Sequence, residues 1–214
     1  MTESMTPPTP PSGPARPSGE VAGLLLAAGG GRRLGGRPKA LLTHRGRPLV
    51  EHAVRILRQG GCAPVYVVLG AAADEVRARA ELADCVLVGN PDWQEGMGSS
   101  LRAGLAALPG SGARAALVAL VDQPGVGPAA VARVRTAGAA AGPAALAAAA
   151  YDGERGHPVL FGADHWAGIA ASATGDRGAR AYLRRHAEAV ALVECADVAE
   201  EYDIDTPADL RRLE

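Results

Sequence analysis

The chain has 214 residues, of which 48% are hydrophobic and only 3% aromatic, and its net charge is −1. This is one domain's worth of chain, with a core built from Ala, Val and Leu, and its near-neutral charge excludes the broad basic field of a nucleic-acid binder. No apolar run reaches the ~18 residues of a membrane span, no basic and apolar leader opens the chain, and Cys62, Cys85 and Cys195 suit neither a disulfide framework nor a C-x-x-C metal site. The expectation is a cytoplasmic protein with small buried thiols and no membrane or nucleic-acid partner.

Residues 1–20 carry Thr-Pro-Pro-Thr-Pro-Pro and little that can be buried, which predicts a disordered Pro-rich tail before one domain over 21–214. A strand is predicted over 21–27, followed by a glycine-rich loop, a helix over 48–59, a strand over 64–69 and a helix over 72–81. Next come a strand over 84–88, a helix over 98–108, a strand over 114–121 and a helix over 127–140. Strands over 144–151 and 157–161 flank Asp152-Gly153, the signature of an antiparallel hairpin. Helices over 164–171 and 177–187, a strand over 190–195 and a helix over 206–213 complete the chain. Continuously apolar strands point to a parallel sheet buried on both faces, and the alternation with helices points to an α/β, three-layer doubly wound sandwich with a mostly parallel sheet. Ligands of such sheets sit beyond the carboxyl ends of the strands, at the switch point.

The loop after the first strand is the most informative stretch. Leu26-Ala27-Ala28 leads into five glycines (Gly29, Gly30, Gly31, Gly35 and Gly36), three arginines (Arg32, Arg33 and Arg37) and Lys39. Glycines let backbone N–H groups approach a phosphate, and the cations supply the charge a triphosphate needs. Two better-known motifs fail. A Walker loop needs Lys and Ser/Thr where Gly36 and Arg37 stand, and the dinucleotide fingerprint is broken by its spacing and by Pro38.

Three further segments carry candidate chemistry. Asp122 stands at the carboxyl tip of the strand over 114–121, before Gln123-Pro124, where it suits either a Mg²⁺ ligand or a helix N-cap. In Asp203-Ile204-Asp205-Thr206-Pro207-Ala208-Asp209, Thr206 reads as an N-cap and Pro207 as the first helical residue, which leaves Asp203 and Asp205 on one side of an extended segment. Gly98, Ser99 and Ser100 lie at a helix start, either as anion-binding N–H groups or as plain caps. Trp93 reads as packing rather than base stacking. His157 is either a strand-start residue or a second-substrate contact, and Arg177 and Arg180 either a solvated face or phosphate ligands.

The pattern L-A-A-G-x-G-x-R-x-G-x-x-x-K, with Asp122-Gln123-Pro124 and Asp203-Ile204-Asp205-Thr206-Pro207, resembles the MobA-like NTP transferase family. Pro38-Lys39-Ala40-Leu41-Leu42, Gly156-His157-Pro158 and Gly175-Asp176-Arg177-Gly178-Ala179-Arg180 bring it nearest to the molybdenum cofactor cytidylyltransferase branch. The resemblance implies the Rossmann-like fold of nucleotide-diphospho-sugar transferases. It also implies transfer of a nucleoside monophosphate from an NTP, CTP foremost, to a phosphorylated acceptor such as molybdopterin. Lys39 with Arg33 or Arg32 would be catalytic, and Mg²⁺ would lie between Asp122 and Asp205. The nucleotide would lie on Leu26, Ala27, Ala28, Gly29, Gly31, Gly35, Gly98, Ser99 and Ser100, and the acceptor on His157, Arg177 and Arg180. The alternatives are a guanylyltransferase acting on molybdopterin or phospholactate, and a non-catalytic molybdenum-cofactor chaperone serving a xanthine-dehydrogenase-type client.

Overall fold

A computed structural model describes residues 20–214, so the expected Pro-rich tail lies, except for Glu20, outside the described residues. Seven strands form one sheet: β1 (Val21–Leu26), β4 (Val65–Leu69), β5 (Cys85–Gly89), β6 (Ala115–Leu120), β7 (Leu146–Tyr151), β8 (Glu154–Gly162) and β9 (Ala191–Glu194). A two-residue pair, β2 (Thr43–His44) with β3 (Arg47–Pro48), makes a separate small hairpin. The helices are α1 (Leu49–Gln59), α2 (Ala73–Arg79), α3 (Met97–Ala106), α4 (Pro128–Ala139), α5 (Ala163–Ser172) and α6 (Arg180–Arg185).

The strand order is β5-β4-β1-β6-β8-β7-β9. β1 pairs in parallel with β4 on one side and with β6 on the other, so the chain reverses its direction of travel across the sheet at β1. Only β8 runs against its neighbours, because it is the return strand of the predicted hairpin. Asp152 and Gly153 both adopt positive φ there, at 52° and 83°, as a two-residue turn matched to sheet twist requires.

Alternate residues of β1 feed two cores. Leu25 and Ala27 join residues of α1, α2 and α4 on one face. Ala22, Leu24 and Leu26 join residues of α3, α5 and α6 on the other. This is the expected three-layer sandwich. Small residues let the layers close: a Cβ at Gly104 of α3 would stand 2.6 Å from Leu24 Cδ1. Phe161, the single phenylalanine, is 2% exposed, so Phe161→Ala should cost about 3–5 kcal/mol, read as a shifted urea midpoint.

Two predicted helices take other forms. The stretch 177–187 is divided between a 3₁₀ turn, Gly175–Arg177, and α6, with Gly178 at positive φ between them. The C-terminal helix is a 3₁₀ turn over Asp209–Leu213. Thr206 is not its N-cap: the Asp209 carboxylate instead accepts from the backbone N–H groups of Asp205 and Thr206 and from the Thr206 hydroxyl. With Leu213 buried, this short segment closes a turn rather than a longer helix. Among the described residues, no helix is long and apolar enough to cross a membrane.

Candidate active site

A cleft of about 500 Å³ opens beyond the carboxyl ends of β1 and β6. Its walls include Leu26, Ala28 and Gly29 from the first strand and its loop, Arg32, Arg33 and Lys39 from the basic stretch, and Ser100, Asp122, Asp203 and Asp205.

Each wall has a local cause. The glycine loop turns through Gly31 and Gly35, at φ 59° and 72°. A Cβ on Gly31 would fall 2.0 Å from the Arg37 carbonyl oxygen, so only glycine fits. The loop ends in a 3₁₀ turn, Lys39–Leu41, whose Ala40 and Leu41 are buried and anchor Lys39 beneath the cleft. Asp122 stands two residues beyond the end of β6. It is no helix cap, because α4 begins six residues later with Gly127 as its N-cap. The Ile204 N–H donates to the Asp122 carbonyl at 2.9 Å, and the Ile204 side chain is fully buried. That bond brings Asp203 and Asp205 to the β6 tip, where both line the cleft.

Lys39 Nζ donates to Asp122 Oδ2 at 2.6 Å and also to Asp205 Oδ1. Arg33 Nη1 lies 3.4 Å from the other Asp205 oxygen. The Lys39 and Asp122 side chains are 14% and 18% exposed, whereas that of Arg33 is 76% exposed. Burial alone would lower the lysine's pKa, but Asp122 and Asp205 more than offset this and hold it above the ordinary range. Burial pushes the Asp122 carboxyl up; the ammonium pulls it back down, and Asp203 nearby adds to the rise.

Among the described residues no cluster of three or more His, Cys, Asp or Glu side chains forms a metal cage. Two carboxylates converging on one cationic centre do fit a hard divalent cation that takes its other ligands from substrate phosphates and water.

A second pocket of about 180 Å³ adjoins the cleft, and Leu26, Met97, Leu120 and Asp203 line both. His157, Arg177 and Arg180 converge there, with Arg155 and Glu201. The floor is apolar, with Leu101, Val118, Val159 and Phe161. Burial lowers the His157 pKa to about 4. In the neighbouring interior, His52 is likewise lowered to about 4, by burial first and then by His44. Both rings stay neutral in the folded state while an unfolded chain protonates near pH 6.5. Their stabilising contribution is therefore whole above pH 6.5 and lost as pH falls toward 4, opposed by the raised Asp122 carboxyl. For the buried His52 the loss is about 2 kcal/mol at pH 5, measurable as a lower urea midpoint at pH 5 than at pH 7.

Several predicted nucleotide residues do not reach the cleft wall. Ala27 points into the opposite core, and Gly31 and Gly35 shape the loop. Gly98 is a packing position: a Cβ there would stand 2.8 Å from the Thr174 nitrogen. Ser99 is buried, donating to the Gly96 carbonyl at 2.9 Å and accepting from Asn90 Nδ2 at 2.9 Å. Gly96, rather than either serine, is the N-cap of α3. Trp93 packs over Gly30 and Gly70 while its edge bounds the cleft. Asn90 ties Ser99 and Ser100 together and the Gln123 amide donates to Asp203 Oδ1 at 2.8 Å, two contacts that local spacing does not signal.

A doubly wound sheet with a glycine-rich, basic loop at its switch point is the framework of a nucleotidyltransferase. Residues 23–190 match the MobA-like NTP transferase domain, and the chain belongs to that family. It is 44% identical over 200 residues to nicotine blue oxidoreductase of Paenarthrobacter nicotinovorans, spanning 90% of this chain and 96% of that one. It is 38% identical over 107 residues to a probable molybdenum cofactor guanylyltransferase of Opitutus terrae, spanning 50% of each. The crystal structure of Rv0371C from Mycobacterium tuberculosis H37Rv, in complex with manganese, superposes with a TM-score of 0.74 at 30% identity, over 91% of this chain and 98% of that one.

Proposed function

We propose that the chain transfers a cytidylyl group from CTP to the terminal phosphate of a molybdopterin-type acceptor, with release of pyrophosphate. One observation carries the reading. Lys39 is held between Asp122 and Asp205 in a cleft walled by the glycine loop, and that cleft opens into a pocket bearing Arg177, Arg180 and His157.

The NTP lies along the loop, where backbone N–H groups and Arg32 or Arg33 take its outer phosphates. Lys39 meets the charge that develops at the α-phosphate. An acceptor phosphate oxygen attacks the α-phosphorus while the bond to the bridging oxygen breaks and pyrophosphate leaves. The chain contributes position and charge rather than a covalent intermediate. Asp122 and Asp205 would hold Mg²⁺, which supplies a Lewis acid for the nucleotide phosphates. Support for a divalent ion comes from the convergence of these carboxylates and from the manganese complex of the mycobacterial relative. The arginines of the second pocket suit the acceptor phosphate, and its apolar floor suits a flat ring system.

The test is pyrophosphate release from each of the four NTPs with Mg²⁺, with and without molybdopterin. Release from CTP alone, and only with the acceptor, is the expected result. Release from GTP instead moves the chain to a guanylyltransferase. Tight pterin binding without release makes it a chaperone for a molybdoenzyme client.

The 44% identity to a nicotine blue oxidoreductase favours a second reading, in which the same cleft accepts a reducible substrate together with a hydride donor. Loss of the dye's colour with a reduced nicotinamide, and no pyrophosphate from any NTP, would establish that reading in place of the first.

A further inference from the structure

Among the described residues, the buried side-chain atoms His52 Nε2 and Gln123 Oε1 make no well-directed hydrogen bond to protein, and the Pro124 carbonyl faces the His52 ring without closing one. Each residue is 7% exposed. Both line one small cavity of about 20 Å³, together with Pro124, Val121, Ile56 and His157. Roughly 10–15 Å³ is enough for one water molecule, and polar walls are what such a water requires.

Other contacts fix the hydrogen-bonding sense of both atoms. Arg55 Nη2 lies 3.0 Å from His52 Nδ1. A guanidinium only donates, so Nδ1 accepts and the neutral ring carries its hydrogen on Nε2. Gln123 Nε2 donates to Asp203 Oδ1 at 2.8 Å, which makes Oε1 the accepting end of that amide. One atom offers a hydrogen and the other seeks one, and both residues border the same cavity. Asp203, at the far end of this chain of groups, is a wall of both the nucleotide cleft and the second pocket.

We infer that a single water accepts from His52 Nε2–H and donates to Gln123 Oε1, locking the Gln123 amide so that it holds Asp203 at the boundary between the two pockets. Gln123 and His52 are then positioning residues. With Oδ1 of Asp203 engaged, Oδ2 remains for a hydrogen-bond donor on the second substrate. This assignment rests on the two-substrate reading above.

The water and the role are tested separately. A high-resolution crystal structure should show density for the water in the wild-type cavity, and the ¹⁵N shifts of His52 should show Nε2 protonated. In steady-state assays with CTP and molybdopterin, Gln123→Leu and His52→Phe should each raise the KM for molybdopterin about tenfold, with the KM for CTP and kcat nearly unchanged. The double variant should be no worse than either single one, because both cut the same chain of groups, and His52→Asn, which keeps an N–H, should recover part of the loss. An empty cavity, the other tautomer, additive effects, or equal changes in both KM values would overturn the inference. Absence of transfer with every nucleotide would overturn the proposed function and the positioning role together, while density and ¹⁵N shifts would still decide the water.

Discussion

Replacing Lys39 with alanine is expected to cut turnover by at least about 100-fold while the fold survives. Among the described residues lining the cleft, Lys39 is the cation held deepest, and the exposed Arg33 is too loosely held to replace it. The substitution also leaves Asp122 and Asp205 facing each other without their ammonium. Removing one partner of such a buried pair costs about 3 kcal/mol, some of which protonation of Asp122 recovers, since burial already favours its neutral form. Mg²⁺ should therefore raise the Tm of Lys39→Ala more than that of the parent, because no ammonium competes for the two carboxylates. Circular dichroism shows whether the fold persists, and pyrophosphate release gives the rate. Undiminished turnover would remove Lys39 from the chemistry.

Asp122→Ala should lower turnover by a similar two decades or more, for a different reason. Lys39 keeps its bond to Asp205, whose side chain is 39% exposed, so its ammonium is drawn toward solvent and away from the β6 tip. The stability loss should be smaller than for Lys39→Ala, because the variant leaves no unpaired carboxylate behind. Asp122→Asn separates charge from shape: it keeps the volume and should lose nearly as much activity. An asparagine variant as active as the parent would show that the position needs only a hydrogen-bonding side chain.

Much of this site could be read before any coordinates. Strands β1, β4, β6 and β7 announce themselves as apolar runs, since burial on both faces leaves no room for polar alternation. The glycine loop, Asp122 and Asp205 were legible because each stands where a strand or an extended segment ends beside turn residues. What stayed hidden depended on distance or brevity. The β2–β3 hairpin has two residues per strand, too few to show a period. The pairing of Gln123 with Asp203 spans 80 positions and leaves no mark in local spacing. Thr206-Pro207 reads as a helix start, but the Thr206 hydroxyl donates to the Asp209 carboxylate instead of accepting from a backbone N–H of the next turn. Ser99 looked like a cap and is instead a buried partner of Asn90, a contact between two segments that only the fold brings together.

The shared wall of the two pockets has a kinetic corollary. Leu26, Met97, Leu120 and Asp203 each present a surface to both spaces, so the two ligands would lie side by side with no partition between them. Chemistry in such a chamber proceeds through a ternary complex rather than by alternating release and binding. Double-reciprocal plots at several fixed concentrations of the second substrate should therefore intersect instead of running parallel. Occupancy of one compartment should also slow escape from the other, because each ligand forms part of the exit of its neighbour.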